Sequence, residues 1–258
     1  MSVDILQLAQ RLDEAALHAQ AIEQLTASAR FSLPQAYAIQ RASIARRDAR
    51  GELPLGIKLG FTSRAKMAQM GVDALIWGLL TDGMLEEEGG TVDLARYIHP
   101  RVEPEICFLL KETIDGPLTQ LELAQYVEAV APAAEIIDSR YRNFRFTLED
   151  VVADNCSSAG LVVGAWARPD IDLANLGVAL CFDGRARQLG STAAILGNPW
   201  RALVQASRLA AAAEMPLRAG SLVLAGAATA AEALVPGCHV SVEIHGLGCA
   251  AFHTRRSS

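Results

Sequence analysis

The chain has 258 residues, 51% of them hydrophobic and 5% aromatic, and carries a formal net charge of −6. That composition supports a substantial core and shows no long basic patch interleaved with aromatics, which argues against a nucleic-acid partner. No basic-then-apolar leader opens the chain, no apolar run is long enough to span a bilayer, and Cys107, Cys156, Cys181, Cys238 and Cys249 form no CxxC pair. The expectation is a cytoplasmic protein with reduced thiols and no membrane partner.

Residues 4–28 carry apolar residues at helical spacing (Ile5, Leu8, Leu12, Ala15, Ala19, Ile22) and predict an amphipathic helix. Ser32, Pro34 and Gln35 form an N-cap signature for a second helix ending near Arg50, before Gly51. From Leu55 the pattern changes, which divides the chain into a helical segment (1–54) and a mixed α+β core (55–258). Strand-type runs lie at 55–61, 105–111, 133–137, 160–165, 177–182, 221–225, 239–245 and 249–253, with helical stretches near 63–70, 119–130 and 199–213. Helices do not alternate regularly with strands, which favours an α+β body on a curled sheet over a doubly wound parallel fold.

Chemistry concentrates in four places. Lys58 lies in the glycine-bracketed strand Gly56-Ile57-Lys58-Leu59-Gly60. It is either a snorkelling edge lysine or a fixed cation near an anionic substrate. Glu103 and Glu105 flank Pro104, so in an extended strand they share a face with Cys107, while Val102, Ile106 and Phe108 share the other. Glu135 follows within the apolar run Ala133-Ala134-Glu135-Ile136-Ile137. An E-x-E pair alone is more often an exposed strand face than a metal site. Three carboxylates in apolar sequence, with no convergent His or Cys, suit a hard cation such as Mg²⁺ or Mn²⁺. Asp154-Asn155-Cys156-Ser157-Ser158 reads as ordinary turn chemistry or as a pair of hydroxyls that hold a carboxylate. The stretch 246–251 fits a loose G-x-G-x-x-A pattern without the helix and acid a dinucleotide site needs, and His239, His245 and His253 fall on solvent faces of terminal strands. The short basic run Arg140, Arg142 and Arg145 reads as a solvated face or an anion contact.

Taken in order, Gly56 to Ser63, Met70-Gly71-Val72, Arg101 to Ile106, Ala134 to Arg140 and Ala153 to Ser158 resemble the hydratase and decarboxylase family of meta-cleavage pathways. That family lies in the fumarylacetoacetate hydrolase-like superfamily, and the resemblance spans nearly the whole chain. It implies a barrel-like curled sheet, a divalent-metal site (Mg²⁺, or Mn²⁺) at Glu103, Glu105 and Glu135, and Lys58 as the catalytic cation. It also implies a substrate pocket touched by Leu59, Ile76, Ser157 and Ser158. Hydratase members carry an aspartate where this chain has Ile76. The stretches Asp138 to Phe146 and Leu224 to Ala231 look more like the decarboxylase branch. The implied activity is loss of CO2 from 2-oxo-3-hexenedioate, with two alternatives: hydration of 2-oxopent-4-enoate, or a non-catalytic subunit stabilising a partner hydratase. The implied partners are a small 2-oxo dicarboxylate, further copies of the chain and a hydratase.

Overall fold

The computed structural model describes residues 3–62 and 75–257. A helix spans Ile5–Leu17, capped by the Asp4 side chain, and a second spans Leu33–Asp48. The second starts as the sequence predicts: Pro34 lies in its first turn, and the Ser32 N–H donates to Gln35 Oε1 at 2.8 Å. The first is shorter than its periodicity predicts. Ala19 turns left-handed (φ 48), and Ile22 leaves to form a β-bridge with Tyr141.

The remaining chain builds two sheets. The larger contains β1 (Pro54–Gly60), β2 (Ile76–Thr81), β3 (Leu85–Glu86), β5 (Arg101–Leu110), β6 (Val127–Ile137), β7 (Ser158–Val163) and β10 (Leu222–Leu224), in the order β2-β1-β10-β5-β6-β7-β3. The two-residue strand β11 (Glu232–Ala233) pairs with the start of β5. The smaller contains β4 (Thr91–Asp93), β8 (Gly177–Phe182), β9 (Arg185–Ser191), β12 (His239–Ile244) and β13 (Gly248–Arg255), in the order β4-β13-β12-β8-β9. The result is the α+β body expected, with a curled main sheet.

Alternation along the long strands sorts the core. Val102, Ile106 and Phe108 of β5, with Ala134 and Ile136 of β6, pack against Val178, Leu180, Val240, Val242 and Phe252 of the smaller sheet. The opposite face carries Cys107, Ala131 and Ala133, which join Leu80, Met84, Leu161 and Leu224 under Ile44 of the second helix. The N-terminal helices thus lie over the face on which Glu103 and Glu105 project.

Four stretches differ most from the sequence prediction. The helix expected over 119–130 is only a 3₁₀ turn, Leu123–Gln125, before β6 begins at Val127. Pairing of Val127, Ala129 and Val130 with Leu110, Leu109 and Phe108 overrides the weak helical pattern. The strand β2, the hairpin strand β9 and a short helix Leu148–Ala153 were not expected. The Asp183-Gly184 turn joining β8 to β9 was a legible cue. The helix predicted at 63–70 lies outside the described residues. The three histidines fall on terminal strands or their turn, with His245 and His253 exposed.

Candidate active site

Antiparallel register sets Glu103 of β5 opposite Glu135 of β6, and Glu105 opposite Ala133. Directly opposed side chains project to the same face, so the three carboxylates converge, with one oxygen from each lying within 4.8 Å of the others. All three are buried, Glu105 and Glu135 completely. Burial, followed by the Glu135 charge, pushes Glu105 well above the usual carboxylate range, against the pull of Lys58. Burial also raises Glu135, and Lys58 opposes it.

Lys58 reaches this cluster from β1, only 4% exposed. Its Nζ lies 3.0 and 3.1 Å from the two Glu135 oxygens. Burial works against the ammonium, but nearby negative charge, that of Glu135 foremost, outweighs it and holds the lysine above its ordinary pKa. Lys58 is therefore a fixed cation and not a snorkelling edge residue.

The donor set fits a divalent cation. Three converging carboxylates are costly to bury without positive charge between them. Glu105 Oε2 accepts the Gly226 N–H at 2.6 Å, whereas its Oε1 is buried with no hydrogen-bond donor among the described residues. The backbone approaches this closely because residue 226 is glycine. Its φ is +102, and a Cβ there would lie 2.1 Å from Thr62 Oγ1.

The other residues expected at the site fall into three positions. Ile76 pairs with Gly60 and so shares the face of Lys58, which pairs with Gly78 two residues on. It is buried in an apolar cluster with Val152 and Cys156. Leu59 pairs with Trp77 and its side chain lies in the main core on the opposite face, so only its backbone is offered to the Lys58 side. Ser157 and Ser158 close the segment after helix Leu148–Ala153, and both hydroxyls are buried with no partner among the described residues. Of the short basic run, Arg142 and Arg145 are exposed, while Arg140 takes the anion contact. It is 4% exposed, its backbone N–H donates to Asp154 Oδ2 at 2.9 Å, and its guanidinium pairs with the same carboxylate. Burial lifts Asp154 to about 6, with Arg140 opposing. Gly226 and Gln40, the latter donating to Trp77 and Val152 carbonyls at 3.0 Å, were not singled out from sequence. A glycine breaking the apolar run 222–233 was the one available sign.

Fold and site together define a class: an α+β enzyme on a curled sheet, whose active face presents three converging carboxylates and a buried lysine. The pattern of the fumarylacetoacetate (FAA) hydrolase C-terminal family matches residues 84–254, and the chain belongs to the fumarylacetoacetate hydrolase family. It is 59% identical over 250 residues to a 4-oxalocrotonate decarboxylase of Pseudomonas sp, covering 97% of this chain and 98% of that protein. It is 36% identical over 221 residues to a 2-keto-4-pentenoate hydratase of Paraburkholderia xenovorans (strain LB400), covering 84% and 82% respectively. The solved structure of 4-oxalocrotonate decarboxylase from Pseudomonas putida G7, complexed with magnesium and adipate, superposes with a TM-score of 0.94. Identity there is 35%, over 98% of this chain and 99% of that one. Among the described residues no helix is long and apolar enough to cross a membrane.

Proposed function

We propose that this chain is a carboxy-lyase that converts 2-oxo-3-hexenedioate (4-oxalocrotonate) to 2-oxopent-4-enoate and CO2. The observation that carries the reading is the buried Glu103, Glu105 and Glu135 triad with Lys58 against it, in a chain so similar to decarboxylases of that name. Adipate, held by the solved relative, is a saturated six-carbon dicarboxylate like the substrate proposed.

The substrate is a vinylogous β-keto acid. The bond to the distal carboxylate breaks, and its electron pair moves through the conjugated chain onto the 2-oxo oxygen. Uptake of one proton at C3 completes the product. The barrier lies in the negative charge that develops on that oxygen. Glu103, Glu105 and Glu135 would hold a Mg²⁺ ion (or Mn²⁺), which when bound would supply Lewis-acid charge for that oxygen. Lys58 places a second positive charge beside the same position, preorganised by Glu135 and shielded from water. Ser157 and Ser158 donate to the carboxylate next to the 2-oxo group, and Leu59 contributes only backbone. Ile76 sets an apolar side chain on the Lys58 face, where the resemblance gives hydratases an aspartate, which separates this reading from hydration.

In this reading residues 1–54 act as a helical cover over the active face of the 55–258 core. The protein works in the cytoplasm as a homo-oligomer and docks with a 2-oxopent-4-enoate hydratase that consumes its product.

The test is CO2 release from 2-oxo-3-hexenedioate by purified protein with and without Mg²⁺. Metal-dependent release supports the reading. Absence of release, with water added to 2-oxopent-4-enoate instead, replaces it with the hydratase. Tight Mg²⁺ binding with neither reaction points to a non-catalytic subunit.

A second prediction concerns Ile76. An Ile76→Asp variant sets a carboxylate on the Lys58 face, where it competes for the ammonium and must itself be desolvated. CO2 release should fall at least about tenfold, a fraction of the roughly 10²- to 10³-fold that outright loss of one preorganised electrostatic contact costs. An unchanged rate would show that this wall plays no part.

A further inference from the structure

Three successive non-glycine residues occupy the left-handed region: Asn155 (φ 50), Cys156 (φ 52) and Ser157 (φ 59). Each is disfavoured for an L-residue, so such a run persists only where its surroundings over-determine it. The holding groups are on β2, an edge strand of the main sheet. Asn155 Oδ1 accepts the Leu79 N–H at 2.7 Å, and its Nδ2 donates to the Leu79 carbonyl at 2.8 Å. The carboxamide thus stands in for a neighbouring strand. Cys156 Sγ donates to the Trp77 carbonyl at 3.0 Å, one alternation earlier on the same edge.

Docking this close requires Gly78, since a Cβ there would lie 2.6 Å from the Asn155 carbonyl oxygen. Gly78 is the register partner of Lys58. At its far end the segment is tied to the carboxylate side of the sheet: the Asp138 N–H donates to the Ser157 carbonyl at 2.8 Å, and Arg140 Nη1 to that of Ser158 at 3.3 Å. These bonds engage backbone, the Asn155 amide and the Cys156 thiol. The two side-chain groups left over are the buried hydroxyls of Ser157 and Ser158.

We infer that Asn155 is a positioning residue: clamped on Leu79, it holds the left-handed run so that the Ser157 and Ser158 hydroxyls are aimed as donors at the carboxylate of a 2-oxo acid, in fixed register with Lys58. The inference rests on the proposed reading of the site for its ligand class, and its test needs no turnover.

The probe is pyruvate, titrated into Mg²⁺-loaded protein, with Mg²⁺ affinity measured separately. Asn155→Gly keeps the left-handed conformation accessible and removes both amide bonds. It should weaken pyruvate about tenfold, the worth of a hydrogen bond to a charged group. Mg²⁺ affinity should stay within about twofold, because the carboxylates sit on other strands. In a Ser157→Ala/Ser158→Ala background the same change should cost nothing further, since Asn155 acts through those hydroxyls. Asn155→Asp keeps the acceptor for Leu79 and should fall between wild type and Asn155→Gly, which guards against a glycine variant that fails to fold. Undiminished pyruvate binding, a loss additive with the serine changes, or a parallel loss of Mg²⁺ affinity each overturns the inference. If wild type releases no CO2 yet the coupling is seen, the decarboxylase reading fails and the positioning role stands.

Discussion

Glu105→Gln should abolish metal-dependent CO2 release, with turnover falling to the metal-free background, about 10³-fold or more where a metal supplies several kcal/mol of charge stabilisation. The substitution is nearly isosteric, and the amide oxygen can still accept the Gly226 N–H that Glu105 Oε2 now accepts at 2.6 Å. What is lost is one of the three converging carboxylates and the oxygen that has no donor among the described residues. The affinity for Mg²⁺ should fall, and with it the rise in Tm that saturating Mg²⁺ confers, because a ligand stabilises only through its preference for the folded state. Calorimetric titration and thermal melts with and without Mg²⁺ check both. Full activity with unchanged Mg²⁺ affinity would sink the ligand assignment.

The triad was visible in sequence because strand geometry is so regular. Pro104 marks an extended segment, and a period of two puts Glu103 and Glu105 on one face without any tertiary information. That Glu135 falls opposite Glu103 is a matter of register between β5 and β6, which depends on the pairing of two distant strands. The sequence offered only the oddity of an acid in an apolar run. Lys58 was legible as a charge between glycines, but its partner, 77 residues away, was not. Leu59 shows the opposite failure. Adjacency to Lys58 in the chain suggested shared work, yet alternation sends its side chain into the core on the other side of the sheet. Arg140 is similar, since a basic run reads as solvated until Asp154 is folded against it. The left-handed run at 155–157 has no sequence signature, because Asn, Cys and Ser there are held by a strand that local pattern did not predict. Local periodicity marked the elements with strong patterns and gave way where edge pairing or long-range contact decided the conformation.

Lys58→Met should lower kcat about 10² to 10³-fold at saturating Mg²⁺, the usual cost of removing one preorganised electrostatic contact from a developing oxyanion. Methionine keeps the unbranched stem and fits the buried space, so the change isolates the charge. The two positive sources at this site have different duties, and the variant separates them. Lys58 is held on Glu135 at 3.0 Å, so in the absence of metal it partly neutralises the carboxylates. Removing it takes away a competitor for Glu135, and Mg²⁺ affinity should be kept or increased while turnover collapses. A purely structural lysine predicts the reverse: weaker Mg²⁺ binding through a disordered triad, and a kcat that recovers once metal is saturating. Because Lys58→Met removes the ammonium on which Glu135 rests, the measurement is made on protein purified with Mg²⁺ present. Lys58→Arg restores the charge but on a bulkier planar guanidinium in place of a compact ammonium, and should recover only part of the rate. A Lys58→Met enzyme within threefold of wild type would remove the lysine from the chemistry and leave the carboxylates and their metal to carry the reaction alone.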